Sequence, residues 1–303
     1  MKNYYRLGTH WQERSRHIEK AIKRDGLDNF RSNTAICRGY GDAAYIDPST
    51  KWHSLKATPL RILVNLPIIR RFTNEYLSCI RTHYATAQRY QSYYYKKEFG
   101  YLLEKYDLPE TTKNGCSDIV NINGQKIARI YIDNLVRIDK FSQHINFSSI
   151  ETIMEIGGGF GVNAHLLLHL FPNIKEYIYI DISPVLSVAE FYLRQFGLDD
   201  RISFYHPDQI QSISADVDVF WNAISFQEME PDVVLGYLKQ IKRLNTQHLC
   251  LMGQRTLRYG AHKNYDWVKL VQEYFSVRSI GPSHYKDTGH KLIDHYLGSK
   301  LNS

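Results

Sequence analysis

The residues best suited to chemistry lie in segment 153–161, which reads Ile-Met-Glu-Ile-Gly-Gly-Gly-Phe-Gly. An apolar strand ends here at an acidic residue and four glycines, and a helical pattern begins directly after them. Glycine lacks a Cβ and adopts positive φ at little cost, so a ligand can approach this backbone closely. The free N–H groups of the next helix point to the same place. This glycine loop, residues 157–161, therefore predicts a site at which a ligand contacts the main chain.

A second apolar run, 177–181, ends in the carboxylate of Asp181, about twenty residues beyond the glycine loop. In βαβ nucleotide folds, an acid at this distance holds the ribose hydroxyls. The two features together predict a cofactor that contains adenosine.

The glycine loop also distinguishes between adenosine cofactors. Val162 stands where the dinucleotide fingerprint has its third glycine, which disfavours NAD and an oxidoreductase. A loop of the form G-x-G-x-G that follows an acid better suits a cofactor with an amino-acid tail and no phosphate. Glu155 would then fix the ammonium group of that tail, directly or through water.

Strands and helices alternate beyond residue 148, as in a parallel, doubly wound sheet. Ligands in such sheets bind beyond the carboxyl ends of the strands. The segments that end the third and fourth strands, 206–209 and 222–229, are therefore expected to share one cleft with the glycine loop and Asp181. We predict strands at 152–156, 177–181, 202–206, 217–222, 248–253, 277–281 and 291–298, and helices at 161–171, 184–196, 231–244 and 262–275. The predicted fold class is α/β, with a doubly wound, mostly parallel seven-stranded sheet.

Residues 1–147 form a predicted N-terminal domain that is mainly helical and would act as an acceptor-binding cap. Residues 148–303 form the predicted cofactor-binding domain. In the N-terminal domain the sequence predicts helices at 8–30, over 62–106 and at 133–145. Two short strands, 117–123 and 126–132, flank the hairpin-turn pair Asn123-Gly124.

Composition describes a soluble protein whose positive charge is concentrated in one part of the chain. The 303 residues are 43% hydrophobic and 23% charged, with a net charge of +7. Residues 1–110 contain 19 Lys and Arg against 11 Asp and Glu, whereas residues 111–303 contain 19 against 20. This excess could steer an anionic partner, such as a phosphorylated glycan, a nucleotide sugar, nucleic acid or an acidic membrane surface. Solvated helix faces are the alternative interpretation.

The targeting and cysteine patterns predict a cytoplasmic protein. No apolar stretch approaches the roughly 20 residues of a membrane span, and no signal peptide is visible. The four cysteines are scattered and form no C-x-x-C pair, which disfavours a zinc knuckle or a disulfide framework.

The motif set resembles that of class I S-adenosylmethionine-dependent methyltransferases. More narrowly, segments 154–161, 179–184 and 222–229 are similar to those of the bacterial sugar O-methyltransferases, which are often associated with surface-polysaccharide gene clusters. Trp11 and segment 26–31 are similar to that family as well.

The resemblance implies S-adenosylmethionine as the methyl donor. Asp181 would take the ribose hydroxyls, Asp208 or Gln209 the adenine amino group, and segment 222–228 would line the sulfonium and the acceptor. The residues expected to contact the cofactor are Glu155, Gly157, Gly158, Gly159, Phe160, Gly161, Asp181, Ile182, Asp208, Gln209 and Asn222.

A sugar hydroxyl is a poor nucleophile, so a general base near it would help methyl transfer. Glu228, in the loop after the fourth strand, is the favoured candidate. His262 and His284, past the fifth and sixth strands, are the other two. Some sugar methyltransferases orient hydroxyls on a divalent cation, but no close Asp/His ligand pair stands out, and we predict no metal.

The sequence leaves other functions open. A nucleic-acid methyltransferase would use the basic N-terminal third on phosphates, but no RNA-binding module and no amino-methylating motif after the fourth strand supports it. A non-catalytic cofactor-binding protein would keep the glycine loop without a working base. Peripheral membrane contact and a homo-oligomer are also left open.

Overall fold

The computed structural model describes residues 8–37, 91–255, 265–283 and 293–301. The chain divides into two compact units, one of Met1–Lys20 with Arg137–Ser303 and the other of Ala21–Val136. The domain boundary at residue 148 remains a prediction from sequence. Within the described ranges, no helix is both long enough and apolar enough to cross a membrane.

The helices, in chain order, are α1 (Thr9–Asp25), α2 (Thr34–Cys37), α3 (helical residues 91–105), α4 (Arg129–Ser142), α5 (Val162–Leu170), α6 (Ser183–Arg194), α7 (Pro231–Arg243) and α8 (Trp267–Gln272). The strands are β1 (Ile119–Ile122), β2 (Gln125–Ala128), β3 (Thr152–Ile156), β4 (Glu176–Ile180), β5 (Ile202–Tyr205), β6 (Val219–Ala223), β7 (His248–Gln254), β8 (Phe275–Pro282) and β9 (Ile293–Lys300).

Several elements are shorter than predicted, for local reasons. Helix α1 ends at residue 25 because Gly26 takes the left-handed conformation, at φ 71°. Strand β2 ends at Ala128, since α4 begins at Arg129 and an Arg129–Asp133 ion pair spans its first turn. The predicted helix at 262–275 begins only at Trp267, where the Asp266 carboxylate accepts a hydrogen bond from the Lys269 amide. Of the predicted 62–106 helical region, residues 62–90 lie outside the described ranges.

In the unit Ala21–Val136, β1 and β2 form an antiparallel hairpin. Its turn places Asn123 and Gly124 at φ 53° and 85°, as the sequence predicted. Beside it, Arg129 bonds Asp118 at 2.6 Å and Asp133 at 3.1 Å, and Tyr95 donates to Asp133 at 2.7 Å. These ion pairs and the hydrogen bond satisfy two buried carboxylates, so this charged cluster is part of the unit's core.

The larger unit contains a seven-stranded sheet in the order β5-β4-β3-β6-β7-β9-β8. Strands β3 to β7 pair in parallel, and β9 runs antiparallel to both of its neighbours. The chain proceeds outward from β3 in one direction and then from β6 in the other, which is doubly wound topology. The predicted fold class is confirmed.

The central strands are buried on both faces, which explains their continuous apolar sequences. One side of the sheet packs on α7 and α8 through a cluster that includes Met154, Phe220, Leu238 and Trp267. The strand order reverses between β3 and β6. In sheets of this kind, the crevice at such a switch point is where ligands bind.

Candidate active site

The glycine loop follows β3 at the switch point. Gly157, Gly159 and Gly161 adopt left-handed φ values of 76°, 67° and 96°. A Cβ on Gly157 would lie 2.5 Å from the Ser225 side chain, and one on Gly161 would lie 2.6 Å from Leu193. The loop therefore needs glycine both for its backbone conformation and for contact with two neighbouring segments.

Glu155 lies beneath this loop, fully buried. Its carboxylate accepts hydrogen bonds from Asn163 Nδ2 and from the Tyr177 hydroxyl, both at 2.7 Å. A Cβ on Gly158 would lie 2.5 Å from Glu155 Oε2. Burial raises the pKa of Glu155 to about 7, although both hydrogen bonds oppose the shift. The contacts of Glu155 are thus with the protein interior, and its proposed contact with a ligand ammonium stays a prediction.

Side chains from β4 contact β3 and the glycine loop. Tyr177 and Tyr179 of β4 and Asp181, which follows the strand, are every second residue and so project to the same side. The Tyr177 hydroxyl bonds Glu155, and the Tyr179 hydroxyl donates to the Gly159 carbonyl at 2.7 Å. Sequence reasoning missed both tyrosines; the period-two pattern ending at Asp181 was the available signal.

Asp181 stands directly after β4 and contacts the glycine loop. Its Oδ2 accepts a hydrogen bond from the Gly159 amide at 3.2 Å, and its Oδ1 accepts one from the Ile182 amide at 2.8 Å. Burial raises the pKa of Asp181 to about 7; the two amides lower it, and the charges of Glu155 and Glu228 raise it further. A carboxylate at this strand end can accept hydroxyl hydrogen bonds.

The residues after β5 are directed to solvent and to each other. Asp208 is exposed and pairs with His206 Nδ1 at 2.8 Å. The Gln209 side chain accepts from the His206 amide at 2.7 Å and so caps the short helix Pro207–Ser212. These local partners leave the predicted adenine contact of Asp208 or Gln209 untested.

The segment after β6 is fastened to the end of β3. Asn222 is buried and donates to the Ile156 carbonyl at 2.9 Å, while its Oδ1 accepts from the Phe226 amide at 3.1 Å. Ser225 also donates to the Ile156 carbonyl, at 3.0 Å. The hydrogen bonds of Asn222 thus fix the conformation of this segment. Ser225 contacts the glycine loop, and the sequence did not single it out.

Ile224 carries backbone strain beside these contacts. It adopts φ 73°, a left-handed conformation that is rare for a β-branched residue, and its amide donates to the Met252 carbonyl at 2.7 Å. Such strain is concentrated at functional sites. It marks the turn that leads into the short helix Ser225–Glu228.

Glu228 ends that short helix and is exposed. Trp11 belongs to the same unit as Glu228, and its indole N–H donates to Glu228 Oε2 at 3.2 Å. The charge of Glu228 acts on Asp181, so the candidate base lies within electrostatic range of the predicted ribose site. His262 and His284, the other candidate bases, lie outside the described residues.

The remaining predicted site residues have structural surroundings. The Phe160 ring is buried and packs edge-on against Tyr192, with ring centroids 5.1 Å apart. Only the main chain of Phe160 is therefore available to a ligand. Ile182 is half-buried and occupies the N-cap position of α6, where it makes no side-chain capping hydrogen bond. Among the described residues, no group of three or more His, Cys, Asp or Glu could hold a metal ion.

Comparison with known proteins identifies the class of enzyme. A family model described as an O-methyltransferase domain matches residues 85–244, so this chain belongs to the O-methyltransferase domain family. The protein is an S-adenosylmethionine-dependent methyltransferase. No curated protein matches the sequence.

Solved methyltransferase structures are similar to this chain in fold. One is a SAM-dependent methyltransferase from Aquifex aeolicus, with 19% identity and a TM-score of 0.41 over 54% of this chain and 90% of that one. The apo methyltransferase SibL has 14% identity and a TM-score of 0.45 over 75% and 77% of the two chains. Human N-acetylserotonin methyltransferase, in complex with SAM, has 16% identity and a TM-score of 0.41 over 57% and 54%.

The residues at the switch point suit S-adenosylmethionine. The loop presents left-handed glycine backbone, and the Asp181 carboxylate, which can accept ribose hydroxyls, touches that loop through the Gly159 amide.

Proposed function

We propose that this enzyme methylates a sugar hydroxyl of a glycan or nucleotide-sugar precursor, in the cytoplasm, during surface-polysaccharide biosynthesis. The observation that carries the proposal is the Trp11–Glu228 pair beside the predicted cofactor site. A carboxylate accepts hydroxyl hydrogen bonds, and an indole offers an apolar face that suits the C–H groups of a sugar ring. The excess of positive charge in residues 1–110 favours an anionic acceptor, such as a nucleotide sugar.

In this proposal, the glycine loop and Asp181 hold S-adenosylmethionine, which supplies an electrophilic methyl group when bound. Glu228 takes the proton that the acceptor hydroxyl loses. The hydrogen bond from Trp11 fixes the carboxylate's orientation, because one of its oxygens is held by a donor from another helix. The contacts of Asn222 and Ser225 with β3 keep this segment in register with the glycine loop.

The test supplies purified protein with methyl-labelled S-adenosylmethionine and three separate acceptor sets: nucleotide sugars, oligosaccharides and ribosomal RNA. We expect label on a sugar hydroxyl, located by mass spectrometry, and none on RNA. Label on RNA would instead support a nucleic-acid methyltransferase. Binding of S-adenosylhomocysteine without transfer to any acceptor would support a non-catalytic protein.

The role of Glu228 is tested by Glu228→Gln, which removes the base and keeps the shape of the side chain. With the acceptor found above, kcat should fall by about 10²- to 10⁴-fold, while the Kd for S-adenosylhomocysteine stays within about twofold. Glu230→Gln makes the same charge change nearby and should retain activity. Full activity in Glu228→Gln would remove Glu228 from the mechanism.

A further inference from the structure

Two residues at the end of β4, Tyr179 within the strand and Asp181 directly after it, bind the peptide groups on either side of Gly159. The Tyr179 hydroxyl donates to the Gly159 carbonyl at 2.7 Å, and the Gly159 amide donates to Asp181 Oδ2 at 3.2 Å. Tyr179 lies in β4 and Asp181 directly follows the strand, two residues further along the chain, so the strand sets their spacing. One glycine therefore connects the hydroxyl of Tyr179 to the carboxylate of Asp181.

The Tyr179 ring is held rigidly in this position. The residue is fully buried, and its ring packs at a tilt against Phe204 with centroids 5.7 Å apart. A Cβ on Gly158 would lie 2.6 Å from Tyr179 Cε2, so the ring lies directly beneath the loop. A buried hydroxyl on a fixed ring can direct the carbonyl it bonds, because neither the ring nor the strand is free to follow the loop.

We infer that Tyr179 is a positioning residue for the cofactor: by holding the Gly159 carbonyl, it keeps the Gly159 amide on Asp181 and so fixes the carboxylate that takes the ribose. This inference rests on the proposed role of Asp181 in binding S-adenosylmethionine. Gly159 has φ 67° and no side chain to restrain it, so the loop alone does not set the direction of its peptide groups.

Tyr179 should also affect the pH dependence of cofactor binding, through Asp181. The groups that act on Asp181 are the Ile182 and Gly159 amides, which favour its ionised form, and the charges of Glu155 and Glu228, which oppose it. If the Gly159 amide turns away, Asp181 loses one of two donors and its pKa rises. The pH at which cofactor affinity changes should then move upward.

The experiment is calorimetric titration of S-adenosylhomocysteine across about pH 6 to 8.5 on wild type and Tyr179→Phe. We expect the Kd of the variant to rise about 3- to 10-fold near neutral pH, with the midpoint of its pH dependence shifted upward. Tyr205→Phe, at the end of the neighbouring strand, should behave as wild type. Thermal unfolding of each protein controls for general destabilisation.

An unchanged Kd, an unchanged midpoint, or an equal effect of Tyr205→Phe would overturn the inference. If Tyr179→Phe does not fold, 4-aminophenylalanine at position 179 replaces it. Its weaker N–H donor should give a smaller change in the same direction, and wild-type values would count against the inference. Failure of wild type itself to bind S-adenosylhomocysteine would instead refute the cofactor site on which the inference rests.

Discussion

Replacing Glu155 with glutamine should make the protein more stable at alkaline pH. The Glu155 carboxylate is fully buried, and its two hydrogen bonds only partly offset the cost of ionising it there. Glutamine has nearly the same shape and never ionises. The Asn163 Oδ1 atom is buried without a hydrogen-bond partner, so a flipped Asn163 amide could accept a bond from the new side chain.

The size and sign of the effect follow from the pKa of Glu155. Burial raises this pKa from 4.5 to about 7, a difference that corresponds to about 3 kcal/mol. Below pH 4.5 the Glu155 carboxyl is protonated in both the folded and the unfolded chain, so it does not change the free energy of unfolding there. Between pH 4.5 and about 7 this carboxyl ionises in the unfolded chain and stays mostly protonated in the folded one. The wild-type free energy of unfolding therefore falls as pH rises through this range.

Urea unfolding at about pH 4.5, 6, 7 and 8 measures this dependence. Glu155→Gln should match wild type at the lowest pH and exceed it by about 3 kcal/mol at pH 8. Asp181, whose pKa is also raised to about 7, leaves a residual slope in the variant. Glu151→Gln, an exposed control paired with Lys175, should keep the full wild-type slope. Equal slopes in wild type and Glu155→Gln would refute this account of the buried carboxylate.

Three further changes test separate parts of the structure. Gly158→Ala puts a Cβ 2.5 Å from Glu155 Oε2 and should lower both Tm and affinity for S-adenosylhomocysteine; wild-type values for both would contradict the packing described. Gly100→Ala adds a Cβ in α3 whose nearest neighbouring atom would be 3.9 Å away. It should raise the free energy of unfolding by about 0.5–1 kcal/mol, and a lower free energy of unfolding would show that there is no room for the Cβ. Arg129→Met leaves the buried Asp133 without its ion pair and should cost about 3–5 kcal/mol in urea unfolding; a cost below about 1 kcal/mol would refute a buried ion pair there.

The sheet was predictable because its signals are local and periodic. Apolar runs of strand length alternate with helical patterns, and the parallel order follows from that alternation. The contact between Asp181 and the glycine loop was predictable for the same reason, since the carboxyl ends of neighbouring parallel strands meet at one edge. Their role in cofactor binding stays a prediction. The hairpin turn at Asn123-Gly124 needed only two residues.

The contacts that shape the site depend on side-chain direction, which the sequence pattern does not encode. The hydrogen bonds that Glu155 accepts from Asn163 and Tyr177 are one example. The sequence predicts only a ligand contact for Glu155, and that contact stays a prediction. The Trp11–Glu228 hydrogen bond joins residues 217 positions apart. No local pattern predicts a contact of that separation, because Trp11 and Glu228 meet only in the folded unit.

The most direct test of the central claim is calorimetric binding of S-adenosylhomocysteine to wild type and to Asp181→Ala, with NADH as the competing ligand. We expect one S-adenosylhomocysteine bound per chain, no binding of NADH, and loss of S-adenosylhomocysteine binding in Asp181→Ala while the variant stays folded. Binding of NADH in its place, or unchanged affinity in Asp181→Ala, would contradict a methyl-donor site at the ends of β3 and β4.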